Sequence, residues 1–297
     1  MQEAPPFGEV RRVRAFLGPS RAPGYGGAVT RTALLGGGRM GEALLAGLLD
    51  AGWEADQLAV AEVEPDRRQA LQQRFPGARV VPSPAWAVAD ADVVVVAVKP
   101  GDVATALGAA AQSLGDDTLV LSIAAGVTIA ELERLAPGRP VIRAMPNTPA
   151  LVRRGAAAIA PGSAARDPHL SLAERLLGAV GVVVRVPETL LDAVTGLSGS
   201  GPAYLFLVAE ALVEAGVLVG LPRATASTLV VETLLGAATL LAEGDEGPEA
   251  LRAAVTSPGG TTAAGVHMLE QRAVRAAFVE AVVAATRRSA ELGRAGS

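Results

Sequence analysis

Gly36, Gly38 and Gly41, in TALLGGGRMGEALLAGLL, stand at the GxGxxG spacing of a phosphate-binding turn. Alone the pattern is weak. Here a short apolar run at 32–35 precedes it and a stretch of helical periodicity at 40–49 follows, the strand–turn–helix context that gives it meaning. The first glycine permits the tight bend, the second lets the main chain approach a pyrophosphate, and the third lets helix and strand pack closely. The free N–H groups of the helix start, around Arg39 and Met40, then face the phosphates. Such a turn predicts a dinucleotide cofactor.

Two further positions would touch that cofactor. Glu62 follows the second predicted strand, where an acidic group accepts from both ribose hydroxyls and favours NADH. Arg67 and Arg68 open the next helix and could pair with a 2′-phosphate, favouring NADPH, or simply form a solvated helix face. We carry NADPH forward, with NADH as the second candidate. Ala97, Val98, Lys99 and Pro100 end the fourth strand, and carboxyl ends of parallel strands line the ligand crevice. Lys99 either reaches the cofactor or is a solvated strand end. The proline stops the strand.

The remaining chemistry is sparse. There are no cysteines, which excludes disulfides, thiolate metal sites and thiol catalysis. His169 and His267 are the only histidines, so no metal site is expected. Lys99 is the only lysine. A balance of 26 basic to 30 acidic residues gives no reason to expect a nucleic-acid partner.

The elements that position these residues alternate in the first half. Strands are expected at 32–35, 58–61, 79–81, 92–98, 119–123, 141–143, 156–160 and 182–186, with helices between several of them. Continuous β-branched runs such as DVVVVAV suit strands buried on both faces. Strand–helix alternation implies right-handed crossovers and a mostly parallel sheet. After about residue 190 the spacing is helical throughout, with Pro202, Pro222, Pro248 and Pro258 at or near helix starts. The fold class is therefore α/β, an N-terminal Rossmann-type doubly wound sheet followed by an all-helical domain. Residues 1–30 are expected to be a disordered tail, 31–190 the dinucleotide-binding domain and 191–297 the helical domain. The tail is rich in Pro, Gly and Arg and lacks the apolar stretch of a secretory leader. No segment is expected to span a membrane, since runs such as 205–221 carry Glu210 and Glu214. A cytoplasmic protein is expected.

Several segments together resemble pyrroline-5-carboxylate reductases: GGGRMG at 36–41, AVKP at 97–100, SIAAGVT at 122–128, IRAMPNTPALV at 142–152, LSGSGPAYLF at 197–206, GLPRATA at 220–226 and SPGGTTAAGVHMLE at 257–270. The combination of MPNTPA, SGSGPAY and SPGGTT is the specific part, and the segments follow the family's order from 32 to about 292. The resemblance implies hydride transfer from a reduced nicotinamide to the C=N carbon of 1-pyrroline-5-carboxylate, giving L-proline, the last step of proline biosynthesis. It implies that the helical domain dimerises, that the enzyme is a homodimer or ring of dimers, and that the site is shared between subunits.

The residues suit that chemistry. The substrate offers a carboxylate and a ring nitrogen. Ser257, Gly259, Gly260, Thr261 and Thr262 lie in a loop opening a helix, where N–H groups and the helix dipole can bind the carboxylate. By resemblance the Thr262 hydroxyl meets the ring nitrogen as it becomes an amine, and a hydroxyl can donate or accept. Asp245 matches a family position near the substrate where Glu is common, and is equally readable as a surface turn. Ala254 stands where the family often has a polar residue, so that contact is missing. Asn147, in the MPNTP turn, should border the nicotinamide or merely shape the turn. Ala124 and Ala125 are small enough for a loop touching the cofactor ring. Residues 198–201 read as an interdomain hinge, Tyr204 and Phe206 as core, His169 as surface, and His267 as packing beside the substrate helix.

Other functions fit less well. A β-hydroxyacid dehydrogenase would need a catalytic lysine in the helical domain, and none follows residue 191. A non-catalytic nucleotide-binding regulator would not need the SPGGTT loop, which is intact. A reductase of a six-membered cyclic imine acid remains an alternative, because one methylene changes binding by only about 1–3 kcal/mol.

Overall fold

The computed structural model describes residues 30–295, so the expected tail falls, but for its last residue, outside the described part. Eight strands form one sheet: β1 (Thr32–Leu35), β2 (Leu58–Ala61), β3 (Arg79–Val81), β4 (Val93–Val96), β5 (Leu119–Ser122), β6 (Val141–Met145), β7 (Gly155–Pro161) and β8 (Gly181–Arg185). Their order is β3-β2-β1-β4-β5-β6-β7-β8. All pairs are parallel except β6 with β7. β4 is shorter than the apolar run 92–98. Ala97 still donates to Leu35 O at 2.8 Å, but Pro100 then begins a 3₁₀ turn that leads the chain away.

The sheet is covered on both faces, as its uninterrupted apolar strands require. Leu34, Val93, Val95, Leu119 and Leu121 pack with α1 (Arg39–Asp50), α2 (Pro65–Arg74) and α6 (Asp167–Gly178). The alternate residues Ala33, Leu35, Val94, Val96 and Val120 pack with α3 (Pro84–Val88), α4 (Val103–Ala110) and α5 (Ile129–Leu135). Each fully buried Leu or Val is worth about 1.5–3 kcal/mol, so aliphatic side chains can hold this core with few aromatics. Over β7 a smaller cluster joins Ala158, Ala160 and Ile129 to Leu191 of the short α7 (Leu191–Val194). Glu188, just before it, accepts from Ile129 N at 2.8 Å and pairs with the buried Arg143 of β6 at 3.0 Å. That ties the start of the helical half to the sheet.

A π-helical turn, Thr195–Gly199, follows α7, and then α8 (Gly201–Leu218), α9 (Arg223–Glu243), α10 (Pro248–Ala254), α11 (Thr261–Gln271) and α12 (Val274–Ala295). The chain forms two compact units. One holds the described residues to Gly199 and those from Ala285 onward, the other Ser200–Ala284. The first unit therefore keeps α7, the π-turn and the end of α12. There Ser289 donates to Asp192 Oδ1 at 2.7 Å.

One expectation needs correction: Phe206 is not core but 64% exposed. Two helical stretches, Glu188–Leu218 and Arg223–Glu243, are long and apolar enough to cross a membrane by length and composition alone. These helices are apolar on most sides, and among the described residues little covers that surface. A helix apolar all round must be buried somewhere.

Candidate active site

Because β1, β2, β4, β5 and β6 run parallel, their carboxyl ends share one edge of the sheet. The loops leaving that edge begin at Gly36, Glu62, Ala97, Ile123 and Pro146. Every cofactor residue expected from sequence lies in these loops or in the first turn of α1. The order reverses between β1 and β4, which is where a crevice opens in such sheets.

Gly36 occupies φ +103°, and a Cβ there would lie 2.8 Å from Ala97 O. Only glycine suits both restraints. Gly41 backs directly onto Gly36 O, while nothing lies within 4 Å of where a Cβ of Gly38 would be. α1 starts at Gly38 with no side-chain cap. Its first N–H groups thus keep their hydrogen-bonding capacity for an anion. Arg39 is exposed beside them, and Met40 packs against the core.

Glu62 is 7% exposed at the end of β2. One carboxylate oxygen accepts from Gly37 N at 3.1 Å and the other from Glu64 N at 2.9 Å. Arg67 Nε stands 3.7 Å from Glu62, donates to Gly37 O, and its guanidinium reaches Glu42 at 3.4 Å. Glu42 is also held by Arg74. Arg68 donates to the carbonyls of Glu62 and Val63 at 2.9 and 2.6 Å. The arginines are thus not a plain solvated face. They close a charged collar round the turn between Gly37 and Glu62.

Val98 packs against the core while Lys99 and Pro100 are exposed beyond β4. After β5, the buried Ser122 accepts from Ala124 N at 3.3 Å, bending the loop so that Ala124 is buried and Ala125 exposed. After β6, Asn147 engages both ends of its carboxamide. Nδ2 donates to Ser198 O at 3.0 Å and Oδ1 accepts from Ala156 N at 2.8 Å. Sequence reasoning missed the parts of Gly37 and Ser198. Both act through main-chain atoms, and no side-chain type announces that.

In the second unit, Ser257 O accepts from Gly260 N at 3.0 Å, and a Cβ on Gly260 would strike Ser257 Oγ. Gly259 turns through φ +69°. α11 therefore begins at Gly260 without a side-chain cap, with Thr261 and Thr262 exposed in its first turn. Asp245 is exposed between α9 and α10, and Ala254 ends α10. His267 lies exposed on α11 against Gln271 at 3.0 Å, and His169 accepts from Arg166 N to cap α6. Arg223 hydrogen-bonds Glu214 and holds it below the usual carboxylate range, an exposed pair joining α8 to α9.

Comparison with known proteins agrees with this arrangement. Residues 188–292 match the family model described as pyrroline-5-carboxylate reductase dimerisation. Residues 31–126 match one described as NADP oxidoreductase, coenzyme F420-dependent. A pyrroline-5-carboxylate reductase of Synechocystis is 45% identical over 88% of this chain and 97% of its own. One of Mycobacterium tuberculosis is 46% identical over 89% and 97%. Among solved structures, a pyrroline-5-carboxylate reductase from Coxiella burnetii is 35% identical, with a TM-score of 0.85 over 89% of this chain and 99% of that one. A Plasmodium falciparum pyrroline carboxylate reductase with NADP bound is 27% identical, with a TM-score of 0.78 over 89% and 98%. On sequence, fold and the two loops alike, the chain belongs to the pyrroline-5-carboxylate reductase family.

Proposed function

We propose that this protein reduces 1-pyrroline-5-carboxylate to L-proline with NADPH, the last step of proline biosynthesis. One observation carries the reading. A single chain holds a glycine turn open toward a pyrophosphate and a second uncapped helix start, on SPGGTT, suited to a carboxylate.

The residues fit a nicotinamide dinucleotide, because Gly38 leaves open space beside the uncapped first turn of α1. Such a cofactor supplies the hydride when bound. Gly36, Gly38, Arg39, Met40 and Gly41 would hold its pyrophosphate. Glu62 would face the adenosine ribose. Ala97, Val98, Lys99, Pro100 and Ala125 would border its nicotinamide half.

Ser257, Gly259 and Thr261 would receive the substrate carboxylate through main-chain N–H groups, aided by the positive end of α11, while Gly260 gives its own N–H to Ser257 O and shapes the loop. Thr262 keeps a hydroxyl at the ring nitrogen, where it accepts from the protonated imine and then from the amine. No strong acid is needed, since the imine binds already protonated. Asp245 would lie near the substrate, at the family position where Glu is common. Orientation is the protein's main contribution.

The working enzyme is a homodimer or a ring of dimers, with the substrate loop supplied by a second subunit. The uncovered apolar faces of α8, α9 and α12 support this. A cytoplasmic location is part of this proposal.

The test is oxidation of NADPH or NADH by the purified protein with pyrroline-5-carboxylate. Turnover is expected, and its absence with both cofactors would overturn the reading. Thr262→Ala is expected to lose roughly 10²-fold in rate while binding cofactor as before. Normal turnover in that variant would remove Thr262 from the mechanism.

A further inference from the structure

Pro202 creates a defect that the chain repairs from elsewhere. In an unbroken helix the carbonyl of Ser198 would accept from the N–H four residues on, and that residue is Pro202, which has none. The N–H one further, of Ala203, is already given to Ser200 O at 3.0 Å. The π-turn Thr195–Gly199 sits at this point. The donor that reaches Ser198 O is Asn147 Nδ2, at 3.0 Å, from a different element 51 residues away.

The other half of the same carboxamide repairs a second gap. β7 runs antiparallel to β6 with Met145 opposite Ala158, so Asn147 lies opposite Ala156 beyond the last paired rung. There the Asn147 side chain, not the main chain, accepts the Ala156 N–H at 2.8 Å. A third observation is independent of Asn147. A Cβ on Gly199 would fall 2.7 Å from the Met145 methyl, so the π-turn packs directly against the side chain that ends β6, and a larger residue there would have to displace it.

We propose that Asn147 is a positioning residue that fixes the loop after β6 to the π-turn by supplying the donor Pro202 lacks. On one side that loop continues into the 3₁₀ turn Thr148–Val152, whose buried Ala150 shares a core with Leu44, Leu45 and Leu48 of the phosphate-binding helix α1. On the other, the π-turn leads directly into α8. Asn147 thus makes one body of the cofactor edge and the point from which the helical chain departs. One donor and one acceptor of its carboxamide are committed to the protein. π-turns in long helices recur at functional sites, and this one is held from outside its own helix.

The kinetic test rests on the proposed reductase activity, and a second readout does not. Asn147→Asp keeps an acceptor for Ala156 N and sets a carboxylate against Ser198 O. It is expected to lower kcat by roughly 10–100-fold through misplacement, with the cofactor Kd changed by less than about twofold. Asn147→Ala, lacking the repulsion, is expected to fall between it and the native protein.

Pro202→Ala returns an N–H to the helix. Combined with Asn147→Ala it is expected to recover about fivefold or more of the lost kcat, a coupling that a merely local role would not produce. Strictly additive losses would overturn the proposal. So would a cofactor Kd that rises in proportion to the lost rate, since Asn147 would then be a cofactor ligand.

Amide exchange over residues 194–203 provides the independent readout. It is expected to quicken in Asn147→Asp and to slow again in the Asn147→Ala, Pro202→Ala pair. Unchanged exchange in all variants would sink the latch even if the native protein turns over. Quickened exchange with no native turnover would keep the latch and sink only the proposed reaction.

Discussion

Glu62 is where a residue's chemistry and its position pull in different directions. A carboxylate at the end of β2 suits a ribose diol and repels a 2′-phosphate, yet this one also holds Gly37 N and Glu64 N. Two opposite charges a few ångströms apart near a surface interact by a few kcal/mol before screening. Arg67, already beside Glu62 and Glu42, is the group a 2′-phosphate would have to recruit. Glu62→Ser is therefore expected to raise the ratio of kcat/KM for NADPH to that for NADH by about tenfold, about 1.4 kcal/mol. Absolute rates fall with both cofactors because the turn loses its acceptor. Steady-state assays with each cofactor give the ratio, and an unchanged ratio would remove Glu62 from cofactor choice. The sequence placed Glu62 correctly at a strand end. It could not reveal the collar of Arg67, Glu42 and Arg74, because those contacts join residues 25 and 32 apart.

Among the elements, strands were legible wherever buried residues ran without interruption, as in β4 and β5, because a parallel sheet covered on both faces admits little else. The glycine turn was legible for the same physical reason that makes it fragile. Gly36→Ala would force a side chain into φ +103° and toward Ala97 O, at a cost of about 1–3 kcal/mol. Lower thermal stability by calorimetry and weaker cofactor binding by fluorescence titration are both expected. A variant matching the native protein in both would show that the turn relaxes freely. The reversal of β7 was not legible. Nothing in its apolar run Gly155–Pro161 distinguishes antiparallel from parallel pairing, and the direction follows from the 3₁₀ turn that brings the chain straight back beside β6.

For the whole molecule, sequence placed the helical half correctly but misjudged Phe206, which looked like core by residue type. Type and periodicity report what must be covered but not which chain covers it. Leu205, Phe206 and Leu207 on α8, Leu229, Val231 and Leu235 on α9, and Val279 on α12 are all more than half exposed. Burying a charge at such a contact costs several kcal/mol unless it is paired. Leu235→Asp is thus expected to lower the mass seen in sedimentation equilibrium to that of a single chain and to abolish turnover. Cofactor binding should persist. An unchanged mass would show that α9 is not at the subunit contact.

Lys99, exposed where β4 ends, is the only lysine in the chain. The side chains of this sequence thus offer one primary amine to acylating reagents. That amine stands on the edge where the cofactor loops gather. A fluorophore coupled there would sit at one address beside the crevice.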